Sequence, residues 1–122
     1  MPVSRHEDLL AWQLGTELRR RILAITAPQD VRRDLRFCEQ IRSAASSVTA
    51  NIAEGYGRFT RPDFVRFLRY SRGSVFEAKD RLLDGFDRGH FTRSEYEETL
   101  ALIQRVTAAI TQLIRSLEPR SR

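Results

Sequence analysis

From Ser43 the chain reads Ser43-Ala44-Ala45-Ser46-Ser47-Val48-Thr49-Ala50-Asn51-Ile52-Ala53-Glu54 and then meets Gly55 and Gly57. Ile41, Ala45, Val48 and Ile52 recur at steps of four, three and four, the seam of a helix in a bundle. The remaining positions are mostly small, so little bulk keeps a second backbone away. The pattern predicts a helix over 31–54, closed by Gly55 and Gly57, because a glycine just past a last turn can take the left-handed conformation. Thr60 and Asp63 then stand at capping-box spacing, with Asp for the usual Glu, and Pro62 is tolerated in a first turn. The next helix is expected over 61–88. Its seam is Phe64, Leu68, Ser71, Val75, Ala78 and Leu82. Gly73-Ser74 lies in the middle of that helix. A mid-helix glycine costs about 1 kcal/mol against alanine, so a packing reason is expected, and the small face of the preceding helix is the expected partner.

Two more helices flank this pair. The first is expected over 7–26, with Glu7 and Asp8 suited to its N-terminus and Arg19, Arg20 and Arg21 to its C-terminus. Leu10, Leu14, Leu18 and Ile25, with Trp12 and Ile22, form its apolar stripe. Pro28 interrupts the chain after it. The last helix is expected over 93–117: Thr92 and Glu95 make a capping box of the usual form, and Tyr96, Leu100, Ile103, Val106, Ile110, Leu113 and Leu117 repeat at helical spacing up to Pro119. Residues 1–6 read as a leader and 118–122 as a polar tail. With no strand pattern, the expected fold is all-α, an antiparallel up-and-down four-helix bundle in one domain over 1–122.

The single cysteine, Cys38, excludes an internal disulfide and reads as a small buried hydrophobe. No apolar run approaches the ~18 residues that cross a bilayer and no signal peptide opens the chain, so no membrane partner and a cytoplasmic location are expected. The net charge is +5 and Lys79 is the only lysine. Arginine offers a rigid fork suited to carboxylates and phosphates, although codon usage in a GC-rich genome explains the composition equally well. Placement therefore matters more than number.

The residues Asp8-Leu9, Trp12-Gln13, Gln40-Ile41-Arg42, Ser47-Val48, Ala50-Asn51-Ile52-Ala53-Glu54-Gly55, Gly57-Arg58, Phe64, Phe67-Leu68, Arg72-Gly73-Ser74 and Glu77 resemble the four-helix bundle proteins encoded by intervening sequences of bacterial 23S rRNA genes. A more distant similarity is to the accessory protein of diversity-generating retroelements, a bundle that works with a reverse transcriptase and its RNA. Thr49, Tyr70-Ser71 and Ala78 depart from the pattern, where proline, an Ile-Ala pair and leucine are common. The resemblance implies a homopentameric ring, no established enzymatic activity, and nucleic acid as the partner to test.

The residues themselves argue against catalysis. His6 and His90 have no Cys or acid at metal-ligand spacing, so no metal site and no cofactor are expected. Gly55-Tyr56-Gly57 lacks the Lys-Ser/Thr of a phosphate loop. Asn51 and Glu54 share a helix face. They either tie the corner between the second and third helices, Asn51 to backbone freed at the turn and Glu54 to Arg58 or Arg72, or they belong to a ligand site. Arg58, Arg61, Arg66, Arg69 and Arg72 face one acid, Asp63, over 58–72, whereas Glu77, Asp80, Asp84 and Asp87 outnumber the bases over 76–90. Both placements oppose the helix dipole, and an arginine-ringed helix start suits phosphate. Antiparallel topology would add Arg5, Arg115, Arg120 and Arg122 to the same end, with Tyr56 and Phe59 as stacking surfaces. Two readings stand: a basic rim for RNA, or a protein-interaction scaffold in which these arginines pair with acids of a neighbouring subunit.

Overall fold

The computed structural model describes residues 5–119, and no strand occurs among them. A 3-10 turn at His6–Asp8 precedes α1 (Leu10–Ile25), the one-turn α2 (Gln29–Arg32), α3 (Leu35–Tyr56), α4 (Arg61–Asp87) and α5 (Arg93–Leu117). α1 packs on α3 and α5, and α4 packs on the same two, so the four long helices form a square. Contacts along their lengths set the directions. Arg21 near the end of α1 meets Thr99 near the start of α5, Val48 of α3 meets Ser71 of α4, and Arg72 of α4 meets Thr111 of α5. Neighbours in the square are antiparallel. The seams meet in a core whose Leu18, Ile22, Ile41, Val48, Ile52, Leu68, Val75, Leu82, Val106 and Ile110 are fully buried. Each such side chain contributes about 1.5–3 kcal/mol.

The expected spans shift for local reasons. Glu7 and Asp8 sit in the 3-10 turn, Leu9 is extended and buried, and α1 begins only at Leu10, itself 59% exposed. Leu10 therefore leaves the stripe, and neither the acids nor Arg19–Arg21 occupy the terminal turns of α1. The second helix does not run unbroken from Val31. The chain breaks after α2, and Asp34 caps α3 by accepting from the Phe37 N–H at 3.4 Å. At the other end α3 runs through Gly55 to Tyr56. Gly57 is right-handed at φ −76, so the left-handed closure does not form there; Gly89, at φ 82, is the described residue that takes it. α4 ends at Asp87, with Arg88 as its cap residue. Thr60 accepts from the Asp63 N–H, and the Thr92–Glu95 box closes in both directions at 3.0 and 2.9 Å.

The Ser43–Glu54 stretch does what its lack of bulk allows. Gly55 is buried against α4, where an added Cβ would lie 2.8 Å from Phe67 Cβ and 2.9 Å from the Phe64 ring. Buried Ser71, the departure from the family pattern, donates to the Val48 carbonyl at 2.7 Å. Ser74 Oγ donates to Ser47 Oγ at 2.8 Å, and Asn51 Nδ2 donates to Ser47 Oγ at 3.0 Å. A chain of short polar side chains thus runs between α3 and α4 with its hydrogen bonds made. Arg42 of α3 reaches across to donate to the Thr26 hydroxyl and carbonyl at 2.9 and 3.1 Å, satisfying the end of α1.

Candidate nucleic-acid interface

The starts of α1 and α4 and the ends of α3 and α5 share one end of the square, and this end carries the arginines singled out above. They do not form one rim. Arg58 lies on the α3 side of α4, with its guanidinium 4.6 Å from the Phe67 ring centre and 3.0 Å from Glu54 Oε2. Arg66 also covers Phe67, at 4.9 Å, and binds Asp63 at 3.2 Å. Hydrogen bonding with Tyr70, and then with Asp63, raises the Arg66 pKa above its usual value. Both guanidinium groups are stacked and paired within the chain.

Arg61, Arg69 and Arg72 fall on the other side of α4. They line a groove against α5 together with Arg115. The groove consists of two hollows of about 470 and 490 Å³ that share Arg69 and Glu118 in their linings, and Gly73, Phe76, Thr111 and Ile114 line the first. Arg69 is ion-paired to Glu118. Arg72 donates to Thr111 Oγ1 at 3.0 Å and lies 5.0 Å from the Phe76 ring centre. Among the described residues Arg61, Arg72 and Arg115 have no acid partner. Arg5 approaches Glu7 at 4.0 Å, while Arg120 and Arg122 lie outside the described residues.

Glu54 pairs with Arg58, one of the two partners foreseen. Asn51 does not bond the turn; its Nδ2 donates back along α3 to the Ser47 carbonyl at 2.9 Å, because α3 continues past it. Tyr56 is half-buried, edge-on to Phe64 at 6.0 Å, so its ring is packed rather than offered for stacking. Phe59 is fully exposed on the α3–α4 connection. Gly55 and Ser74 belong to the α3–α4 contact. Gly73 does not: it is exposed, and an added Cβ would meet nothing within 4 Å, so the small face of α3 is not its partner.

Glu118 and Thr111 were not legible as site residues, because each meets an arginine across a separation that no motif spans. The same holds for His90, which lies 2.9 Å from Asp34 Oδ2. That hydrogen bond, with the Phe37 N–H and the Arg88 charge, holds the Asp34 carboxyl below its usual range against the opposing pull of desolvation. Burial pushes the Cys38 thiol up, which suits packing rather than nucleophilic chemistry. No group of three or more His, Cys, Asp or Glu residues among those described is placed to hold a metal ion. No described helix is long and apolar enough to cross a membrane.

The fold and this end of it define a helical bundle with an arginine-lined groove between its last two helices. The family model for 23S rRNA-intervening sequence proteins matches residues 7–112, and the chain belongs to that family. Among solved structures it is similar to a protein of unknown function from the S23 ribosomal protein family of Bacteroides thetaiotaomicron VPI-5482. That similarity has a TM-score of 0.79 at 19% identity and covers 87% of this chain and 99% of the other, a likeness of fold. A comparison with curated proteins gives no match.

Proposed function

We propose that this chain is a non-enzymatic bundle that binds RNA, or another nucleic acid, along the α4–α5 groove at its arginine-rich end. The observation that carries the reading is the convergence of Arg61, Arg69, Arg72 and Arg115 on one groove in which Glu118, the one acid among the described lining residues, is paired with Arg69. A guanidinium held by Thr111 on one side still presents donors to a phosphate on the other. Phe59, exposed on the neighbouring connection, offers a face for an unpaired base. Membership of a family tied to an rRNA gene makes RNA the first polyanion to test. In a ring of five copies, the assembly implied by the resemblance, the groove would repeat and phosphate contacts would multiply.

The second reading is a protein-interaction scaffold in which the arginines pair with acids of a neighbouring subunit; Arg58, Arg66 and Arg69 are already engaged by acids of their own chain, which leaves them poorer phosphate ligands. Electrophoretic mobility shifts with structured RNA across a salt series separate the two. Binding should weaken steeply with salt, and Arg61→Glu with Arg72→Glu should lower the slope of log K against log salt by about 2. Arg58→Glu with Arg66→Glu should do less. No shift for the wild type even at low salt removes the nucleic-acid reading.

A further inference from the structure

A hollow of about 620 Å³ lies between α3 and α4, away from the groove against α5, and every described residue that lines it is polar. α3 contributes Arg36, Glu39, Gln40 and Ser43; α4 contributes Glu77 and Arg81. Glu77 and Arg81 stand in the order and at the spacing at which an ion pair forms along a helix. Elsewhere the chain makes such pairs four residues apart, Glu54–Arg58, Asp84–Arg88 and Arg93–Glu97. Here it makes none: among the described residues Arg36, Glu39, Glu77 and Arg81 have no ion-pair partner. Arg81 is partly buried, and its Nε is covered without a hydrogen-bond partner. A partly buried cation left uncompensated by its own chain favours an anionic group from outside it.

The register of the two helices orders these charges. Ser47 meets Ser74 and Val48 meets Ser71, so Ser43 stands about level with Glu77, and Glu39 and Gln40 with Arg81. Arg36 lies a turn farther toward the start of α3. Arginine therefore holds one end of the hollow and Glu77 the other. From Arg36 to Ser43 the helix rises ~10 Å, the length of about three extended residues. Two arginines and two glutamates leave the lining neutral, so a plain anion such as phosphate gains at one end what it loses at the other. No aromatic ring among the described lining residues offers to stack a nucleobase. Gln40 and Ser43, between the ends, can each donate and accept, as a peptide unit does. We propose that this hollow binds a free peptide of two or three residues. Its carboxylate meets Arg36 and Arg81, its ammonium meets Glu77, and Gln40 and Ser43 bond the peptide units between. Glu39, level with Arg81, turns away a ligand that is anionic at both ends. The site shares no residue with the α4–α5 groove and does not depend on the RNA reading.

An amide NMR titration of the full chain with trialanine at low salt tests it. Shifts should concentrate on α3 around 36–43 and on α4 around 77–81. N-acetyl-trialanine, which lacks the ammonium, and trialanine amide, which lacks the carboxylate, should each bind roughly tenfold more weakly. Glu77→Gln should weaken trialanine by a similar factor and no longer distinguish it from the acetylated peptide. Arg36→Gln should do the same toward the amide. Glu77 and Arg36 are exposed, so both variants should keep the urea midpoint of the wild type. Arg61→Glu with Arg72→Glu, in the groove, should leave peptide binding unchanged. Four results would each overturn the site: no shifts at high millimolar trialanine, shifts centred elsewhere, capped peptides that bind as well as the free one, or variants that keep the wild-type preferences.

Discussion

α4 keeps two kinds of company. Against α3 it meets short side chains along most of its length, and at Gly55 its Phe64 and Phe67 come so near that a methyl group does not fit. Against α5 it stands off, leaving a groove lined by arginines and floored in part by Phe76 and Ile114. A glycine stands at each side, Gly55 on α3 and Gly73 on α4, and the two mean opposite things. Gly55 of α3 is absent bulk whose place Phe64 and Phe67 of α4 have filled. Gly73 is absent bulk that nothing in the chain fills. Tight packing leaves no room for a ligand, whereas the open side leaves charges unpaired and available. The contact that holds the bundle and the surface offered for recognition are therefore on different flanks of one helix.

The comparison is most easily broken at Gly55. Gly55→Ala should destabilise the fold by about 2 kcal/mol, because Phe67 Cβ and the Phe64 ring cannot both retreat. Urea denaturation would measure it, and a loss under ~0.5 kcal/mol would mean the contact is loose. Gly73→Ala should act with the opposite sign. In the same titration at low protein concentration, where coupling to assembly is smallest, it should add up to about 1 kcal/mol by removing backbone freedom from the unfolded chain. A loss there would mean that Gly73 is already covered within the single chain.

The smallest effect concerns the far end of the α3–α4 contact, where Asp34, His90 and Arg88 join the start of α3 to the end of α4. The folded Asp34 carboxyl lies below its usual value of 3.8, chiefly through the His90 hydrogen bond. A depressed carboxylate contributes its stability above the unfolded value, and that contribution is lost as pH falls through the folded one. Stability should therefore drop below about pH 3.8 by more in the wild type than in Asp34→Asn. Denaturation curves at pH 5 and pH 3 for both proteins check this, and parallel losses would contradict it.

Much of the architecture was legible because helical periodicity and caps are local. The seam steps of α3 and α4, the Thr60 start and the Thr92–Glu95 box need only neighbours in the chain. The misreadings arose where a distant contact outweighed a local rule. Gly55 looked like a stop because glycine closes helices, yet α3 continues through it, since the Phe64–Phe67 approach is what demands a residue without Cβ. Asn51 looked free to bond a turn that forms farther along. The candidate site was legible as a cluster of arginines in one part of the chain, but not as a geometry. Helical rotation separates Arg66, beside Phe67, from Arg61, Arg69 and Arg72 on the α5 side of α4, while the α3–α4 connection folds Arg58 back onto Phe67, and these placements have meaning only once α3 and α5 are in place.

By itself, then, the order of residues determined that the chain would be helical, where the apolar stripes and caps would lie, and that arginine would crowd the start of α4. These follow from interactions within a few residues, which any helix of this composition would make. Only the tertiary structure decided which arginines are neutralised and which are not. Glu54 reaches Arg58 four residues along the chain, but Glu118 reaches Arg69 across forty-nine residues, and Arg61, Arg72 and Arg115 have no acid partner among the described residues because Glu118, which lines their groove, is taken by Arg69. Charge is a property of the sequence; its compensation depends on distance, and distance between helices is set by how the core packs.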